Sequence, residues 1–418
     1  HSFIATYFVY APAANSQPAS SSDNRMTSHE RRATASLTSV FALRMLGLFL
    51  VLPVFALEAA SYPGGLDAAR VGFAMGVYGL TQACLQIPFG IASDRFGRKP
   101  VMLLGLAIFA LGSVVAAMAA SVDGLLVGRA LQGAGAISAA VTALLADMTR
   151  SQVRTKSMAL VGISIACMFM LSLALAPVLA SHVGLSGLFA LTAALAVSGM
   201  AVVTWWVPSS PVIMRAIAPA NGLRVVLADK QLWRLSMGSF SLHAIQLAMW
   251  LVLPGLLVDS GLNASDHWQV YVPAVVASLL VLGGVLFRLE RQGYLRAVLL
   301  GSVACLLVVQ LGLLAYVGGQ VKPSLWLLGV LLFGFFLGFN ALEASQPSLA
   351  SKFAQTPVRG AALGVFNTCQ SLGFFAGGAA GGAILAWGGA TVLLAVTSAW
   401  LALWLAVAWG LQPKLAIY

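Results

Sequence analysis

Four ionisable side chains, Arg44, Arg129, His243 and Glu343, stand inside long apolar stretches of a 418-residue chain that is 60% hydrophobic and only 8% charged. A charge carried into hydrocarbon is expensive unless it is paired or wetted, so groups of this kind mark a polar pathway. An imidazole titrates near neutrality and burial favours the neutral form of a carboxylic acid, so His243 and Glu343 are the pair suited to loading and unloading a proton. Arginine keeps its proton, so Arg44 and Arg129 are not themselves proton carriers. Plainer readings stay open: His243 as a structural donor, Glu343 in a static ion pair with Arg44, and Arg129 reaching back to the membrane surface. Gln132, Gln246 and Asn340 share the same stretches, and Glu58 belongs to a rim.

Other chemistry has no carrier. Cys84, Cys167, Cys305 and Cys369 lie in apolar runs without C-x-x-C spacing and read as small apolar residues. No H-E-x-x-H, G-x-S-x-G or G-x-x-x-x-G-K-[ST] string is present. We therefore expect no enzyme activity, metal or cofactor, with an ion gradient as the energy source.

These groups must be held by membrane helices. Mean hydropathy is +0.93, and a run of about 20 apolar residues crosses about 30 Å of hydrocarbon. Twelve such stretches can be read, at 36–58, 69–92, 100–120, 124–146, 157–181 and 185–207, then 232–258, 268–288, 296–318, 323–347, 359–387 and 390–411. The expected fold is an all-α membrane protein with twelve transmembrane helices in two six-helix bundles, spanning 26–207 and 232–411. A cytoplasmic linker at 208–231 carries Pro208, Pro211 and Pro219 among Arg215, Arg224 and Lys230. Residues 412–418 form a short cytoplasmic tail, and 1–25 are expected to be a disordered or artefactual extension upstream of a natural start at Met26. Duplication shows faintly: Leu50-Val-Leu-Pro53 recurs as Leu251-Val-Leu-Pro254, and Arg154 has a counterpart in Arg359. A cavity lined by Phe, Met, Trp250 and a few amides of these stretches would admit many ligands.

Lys and Arg are retained on the cytoplasmic side, and eighteen of the 23 fall on one side of the twelve stretches, with only Arg70 and Lys322 in the opposite loops. Both termini are therefore expected inside. This bias accounts for a net charge of +11 without a nucleic-acid partner.

One turn repays closer reading. Gly90-Ile-Ala-Ser-Asp94-Arg95-Phe-Gly97-Arg98-Lys99 joins the second and third stretches. Arg98 and Lys99 open a helix, where the dipole disfavours cations, and Asp147 closes one, where it disfavours anions. Pairing Arg98 with Asp147 would cancel both misfits, and Asp94 could face the amino end of the eleventh stretch. Gly72 and Gly76 in the second stretch, and Gly373, Gly377 and Gly381 in the eleventh, repeat every fourth residue, a spacing that lets backbones approach.

The string G-x-x-x-D-R-x-G-R-K in that turn resembles the loop between the second and third helices of the major facilitator superfamily. Leu126-Val-Gly-Arg129-Ala-Leu-Gln132-Gly133-Ala-Gly135 resembles its second motif, whose arginine is linked to proton transfer. Phe41 to Pro53 and Phe339-Asn340-Ala-Leu-Glu343-Ala narrow the likeness to the YajR-like bacterial drug/proton antiporters. The resemblance implies parallel halves and a site lined by the first, fourth, seventh and tenth helices. It also implies a loop latch that holds the outward-open state, a second helix meeting the eleventh, and export of small molecules in exchange for protons across a bacterial inner membrane. A monomer suffices, with the bilayer, protons and a small-molecule substrate as partners. There are two departures: Ala176-Pro177-Val-Leu-Ala180-Ser181 lacks the glycines of the antiporter G-P-x-x-G-G element, which weakens the antiport direction, and the soluble sensing domain that some relatives bear after the last helix is not expected here. A proton symporter importing a metabolite and a non-transporting receptor stay open as alternatives.

Overall fold

The computed structural model describes residues 25–208, 222–292, 294–320, 324–354 and 359–410. The extension at 1–24, most of the linker at 209–221 and the tail at 412–418 lie outside the described residues. Thr27 starts α1 (Ser28–Val51) with a capping box: its Oγ1 accepts from the Glu30 N–H, and the Glu30 carboxylate accepts from the Thr27 N–H. Glu30 also accepts from the Arg150 backbone N–H and side-chain Nε at 3.0 and 2.9 Å, tying the start of α1 to the turn before α7. After Pro53 the chain runs on as α2 (Phe55–Ala59), then α3 (Ala68–Arg95), α4 (Arg98–Ala117), α5 (Val122–Ala134), α6 (Ser138–Asp147) and α7 (Ser151–Ala201). The second half holds α8 (Gly222–Ala228), α9 (Lys230–Asp259), α10 (Trp268–Arg291), α11 (Leu295–Val317), α12 (Leu325–Phe353) and α13 (Arg359–Trp409). No strand occurs among the described residues.

Each of the twelve stretches falls on helix, yet they are not twelve separate helices. Among the described residues, nine helices are long and apolar enough to cross a membrane; α3 is not one of them, and the spans that contain α7 and α13 run to 55 and 50 residues. Both of these double back. Ser157 and Trp206, from the two limbs of α7 and its continuation, bond to Thr34 and Arg32 in the first turns of α1. The reversal falls at Gly184, with φ 63° and ψ −174°, and its counterpart in α13 is Gly389, with φ 70° and ψ −174°. This backbone region is essentially open only to glycine, so one residue replaces the loop expected there.

The duplication is sharper in the tertiary contacts than in the letters. The carboxyl end of the first half's last helix is capped by cations from two other helices: Arg32 Nε donates to the Trp206 carbonyl at 3.2 Å and Lys99 Nζ to Val207 at 2.5 Å. In the second half Arg296 donates to Trp409 at 2.6 Å and Arg234 to Gly410 at 2.5 Å. Cations at a helix carboxyl terminus complement its dipole, so part of the one-sided basic charge has a structural use. Exposed Trp205, Trp206, Trp233 and Trp409 ring this basic end, and exposed Trp268, Trp326 and Trp387 the opposite end. Two such belts mark the two interfaces of a bilayer.

The halves touch through α3 and α13, α7 and α10, and α2 and α9. Toward the end opposite the basic one, Leu50, Phe55, Met75, Leu173 and Leu188 belong to a core continuous with that of the second half. At the basic end, Leu37, Phe41, Met102, Leu144 and Val203 form a core of their own without any residue from the second half. The molecule is thus closed at one end and parted at the other.

Candidate functional site

In the second half the titratable pair is assembled from three helices. On α9, His243 Nδ1 lies 2.9 Å from the Ser239 carbonyl, which can only accept, so Nδ1 carries the hydrogen. His243 Nε2 then faces Glu343 Oε2 of α12 at 3.3 Å and Gln370 Nε2 of α13 at 2.8 Å. Gln370 Nε2 also approaches Glu343 Oε1 at 3.5 Å. Phe374 and Phe339 pack edge-on to the imidazole, with centroids at 4.9 and 5.9 Å, and keep it nearly dry, while Glu343 remains 43% exposed. The Gln370 amide can present its NH2 to a bare Nε2 or, turned over, its oxygen to one that carries hydrogen. No Lys or Arg lies within ion-pair distance of Glu343 among the described residues, so no permanent cation pins its charge.

The first half holds a different cluster. Arg44 is 1% exposed and donates to Tyr78 Oη at 3.0 Å, Ser138 Oγ at 3.2 Å and the Gly135 carbonyl at 3.4 Å. Arg129, also buried, donates to Gln132 Oε1 at 3.0 Å and the Met75 carbonyl at 3.3 Å, and lies over the Tyr78 ring at 4.9 Å. Gln132 in turn donates to Ser113 at 2.8 Å. Two of the plainer readings are not met here. Arg44 does not pair with Glu343, because its guanidinium points into its own half, and Arg129 does not reach for the membrane surface, because α3 and its own helix supply acceptors. Asn340 is apart from both clusters, donating to Ser278 at 3.2 Å. Gln246 is buried with its Oε1 unpartnered. Trp250 lines no cavity; it is fully buried against Tyr271.

At the basic end Gly97, with φ 97°, turns the chain from α3 into α4. Arg98 is buried there and binds Asp147 Oδ2 at 3.2 Å, Asp94 Oδ1 at 2.5 Å and Ser93 Oγ at 2.5 Å. Gly90 approaches Ala139 of α6, Lys99 serves the cap described above, and Arg95 closes α3. The expected partner of Asp94 is the amino end of the eleventh stretch, where α13 begins at Arg359; the Arg359 side chain and the preceding 355–358 lie outside the described residues.

The glycine stripe needs a correction. A Cβ on Gly72 or Gly76 would strike Gly378, Gly382 and Phe375 of α13, whereas Gly373 and Gly377 abut Phe240 and Ala244 of α9, with Gly381 beside Ala248. The eleventh stretch therefore carries two stripes about 100° apart. The one read from the sequence faces its own half, and the one that meets α3 is offset by a single residue. Sequence reasoning also missed Tyr78, Ser113, Ser138 and Gln370; the signal was a polar side chain within an otherwise apolar run.

An all-helical membrane protein whose paired halves close at one end and part at the other, with a titratable cluster left partly open between them, has the architecture of a transporter rather than an enzyme. Residues 37–378 match the Major Facilitator Superfamily, and the chain belongs to it. It is 42% identical over 363 residues to the inner membrane transport protein YajR of Escherichia coli, covering 86% of this chain and 79% of that one. It is 28% identical to the multidrug resistance protein MdtH of Aeromonas hydrophila, over 82% of this chain and 85% of the relative. Among solved structures, a bacterial homologue of the human lysosomal transporter Spinster, in an inward-facing and occupied conformation, superposes with a TM-score of 0.69 at 14% identity, over 92% of this chain and 97% of that one. The chain is a multi-pass secondary transporter.

Proposed function

We propose that this transporter exports small molecules across a bacterial inner membrane in exchange for protons, by alternating access. The observation that carries the reading is the His243–Glu343–Gln370 cluster: an imidazole and a carboxylate within 3.3 Å of each other, flanked by an amide that can donate or accept, with Glu343 left partly exposed. The basic end is cytoplasmic by retention of cations, so the conformation seen is inward-open. A proton arriving from outside would hold the pair neutral, and its loss to the cytoplasm would leave the Glu343 carboxylate charged beside the neutral imidazole, altering the cost of closing Phe339 and Phe374 around them. Hydrolytic or nucleotide-driven work is not needed, and no cofactor takes part. Membership beside YajR and MdtH supports transport of small solutes, and a monomer is sufficient.

The test is a proteoliposome assay with a pH-sensitive dye, an imposed proton gradient, and cationic, neutral and anionic compounds. Substrate-evoked alkalinisation of the low-pH compartment is expected for the natural chain and is lost in Glu343→Gln and His243→Gln. Substrate moving against the proton supports export; movement with it would establish import. Proton flux unchanged in both variants would overturn the assignment.

A further inference from the structure

We propose that the break between α5 and α6 is an anion subsite that takes the carboxylate of an organic acid. It deepens the transport reading by naming the substrate class, and rests on that reading only in calling the ligand a substrate.

The fourth stretch was expected as one helix, but it leaves helical geometry at Gly135 (φ −75°, ψ 50°) and restarts at Ser138. A side chain at 135 would run into the Gly105 carbonyl, so α4 packs directly against the broken backbone. The N–H of Ile137 turns back to the Gly135 carbonyl at 2.9 Å, and the first intrahelical donor of the restarted helix is Val141, bonding to the Ile137 carbonyl. The N–H groups of Ser138, Ala139 and Ala140 thus begin α6 without an intrahelical acceptor, and Ile137 offers no side-chain cap. Within hydrocarbon each such donor needs a partner, and the aligned dipoles make this terminus positive.

Arg44 is the second, independent sign. Its guanidinium is directed at the same terminus through Ser138 and Gly135, it is buried, and its Nε has no partner. Arg129, on the far side of Tyr78, likewise has an unpartnered Nε. Neither arginine has a carboxylate within ion-pair distance among the described residues. One guanidinium therefore meets a helix amino terminus, with a second behind Tyr78, and neither has a described counter-charge, an arrangement that a neutral or cationic ligand would leave unbalanced. A carboxylate fits the donor set: one oxygen on the Arg44 Nε–H and the other on the α6 N–H groups. α6 packs on α1, α3, α4 and α7 of its own half and leaves Ser138 and Ala139 partly exposed and Thr142 exposed, so a ligand would approach from that side and uncover the buried Arg44 Nε as it binds.

The test is equilibrium binding to the full chain in detergent, read as the rise in Tm with sodium benzoate, benzamide, sodium chloride or tetraphenylphosphonium. Benzoate is expected to stabilise saturably, and the isosteric neutral benzamide and the cation are not. Arg44→Gln should weaken benzoate about 10- to 100-fold, as expected for loss of a charge-assisted pair, with Arg44→Lys intermediate. Should Arg44→Gln fail to fold, Ala139→Asp serves: a carboxylate built into the first turn of α6 should raise Tm without ligand and abolish the benzoate effect. Unaltered benzoate binding in these variants, or stabilisation by tetraphenylphosphonium in place of benzoate, overturns the proposal. Saturation by chloride that benzoate cannot displace would leave an inorganic-anion site and overturn the organic acid. Binding is read without a gradient, so failure of proton coupling in liposomes and failure of this subsite are separate results.

Discussion

Gly377 and Gly378 are adjacent on α13 yet face different neighbours, and replacing each by alanine should produce two different defects. A Cβ on Gly378 would sit 2.5 Å from the Gly72 carbonyl and 2.7 Å from Gly76 Cα, all backbone of α3 in the other half. Ordinary contact begins at 3.4 Å, so α3 and α13 must separate by about 0.9 Å, a gap that already forfeits about a quarter to a half of the dispersion attraction of the atoms involved. Overpacking of this size costs about 1–3 kcal/mol. The halves can escape that cost by opening where they are closed, so it enters the conformational equilibrium as a shift of about 5- to 150-fold toward the outward-open form. A Cβ on Gly377 would run into the Ala244 carbonyl of α9 inside the same bundle. No hinge relieves that clash, and the cost falls on folding instead. The assay is maleimide labelling of Ala59→Cys, a fully buried position at the closed end, in a background without the four native cysteines, with Tm measured in parallel. Gly378→Ala should label faster with little loss of Tm, and Gly377→Ala should lose several degrees with unchanged labelling. Equal losses of Tm with no change in labelling would refute the division of α13 into an inter-half and an intra-half face.

Other outcomes follow from the same contacts. Asp147→Asn removes one of the two carboxylates paired with buried Arg98 and is expected to slow transport several-fold at normal yield of folded protein, measured as initial uptake rates in liposomes; an unchanged rate would reduce the pair to a surface feature. Tyr78→Phe deletes the hydroxyl that accepts from Arg44 and should cost about 1–3 kcal/mol, the penalty for an unsatisfied buried donor, read as a fall in Tm that Tyr78→Trp does not repair. Gly184→Ala and Gly389→Ala place a Cβ at φ 63° and 70° and should each destabilise by about 1–2 kcal/mol, additively because they lie in different halves; a strongly non-additive pair would argue against independent bundles.

Much of the architecture was legible because hydrocarbon restricts the choice. A run of about 20 apolar residues has one way to satisfy its own backbone within a single segment, so composition alone dictated membrane helices. The lone ionisable residues of those runs, Arg44, Arg129, His243 and Glu343, stood out for the same reason. The Arg98–Asp147 pairing could be reasoned from misplaced charges at two helix ends. The break at Gly135 could not, since a glycine within an apolar run does not by itself mark where a helix stops, and neither could the reversals at Gly184 and Gly389, where a single residue does the work of a loop.

What the letters determined by themselves is that this chain spans a bilayer as two related bundles with its cations on one side and a few costly polar groups within. What only the tertiary structure decided is which of those groups meet: His243 with Glu343 through Gln370, Arg44 with Tyr78 and the start of α6, Gly378 rather than Gly377 with α3. The reason is physical. In lipid nearly every face of a helix is apolar, so no polar side tells it which way to turn, and partners are chosen by close packing and buried hydrogen bonds. Those interactions come into being only when helices far apart in sequence are brought side by side.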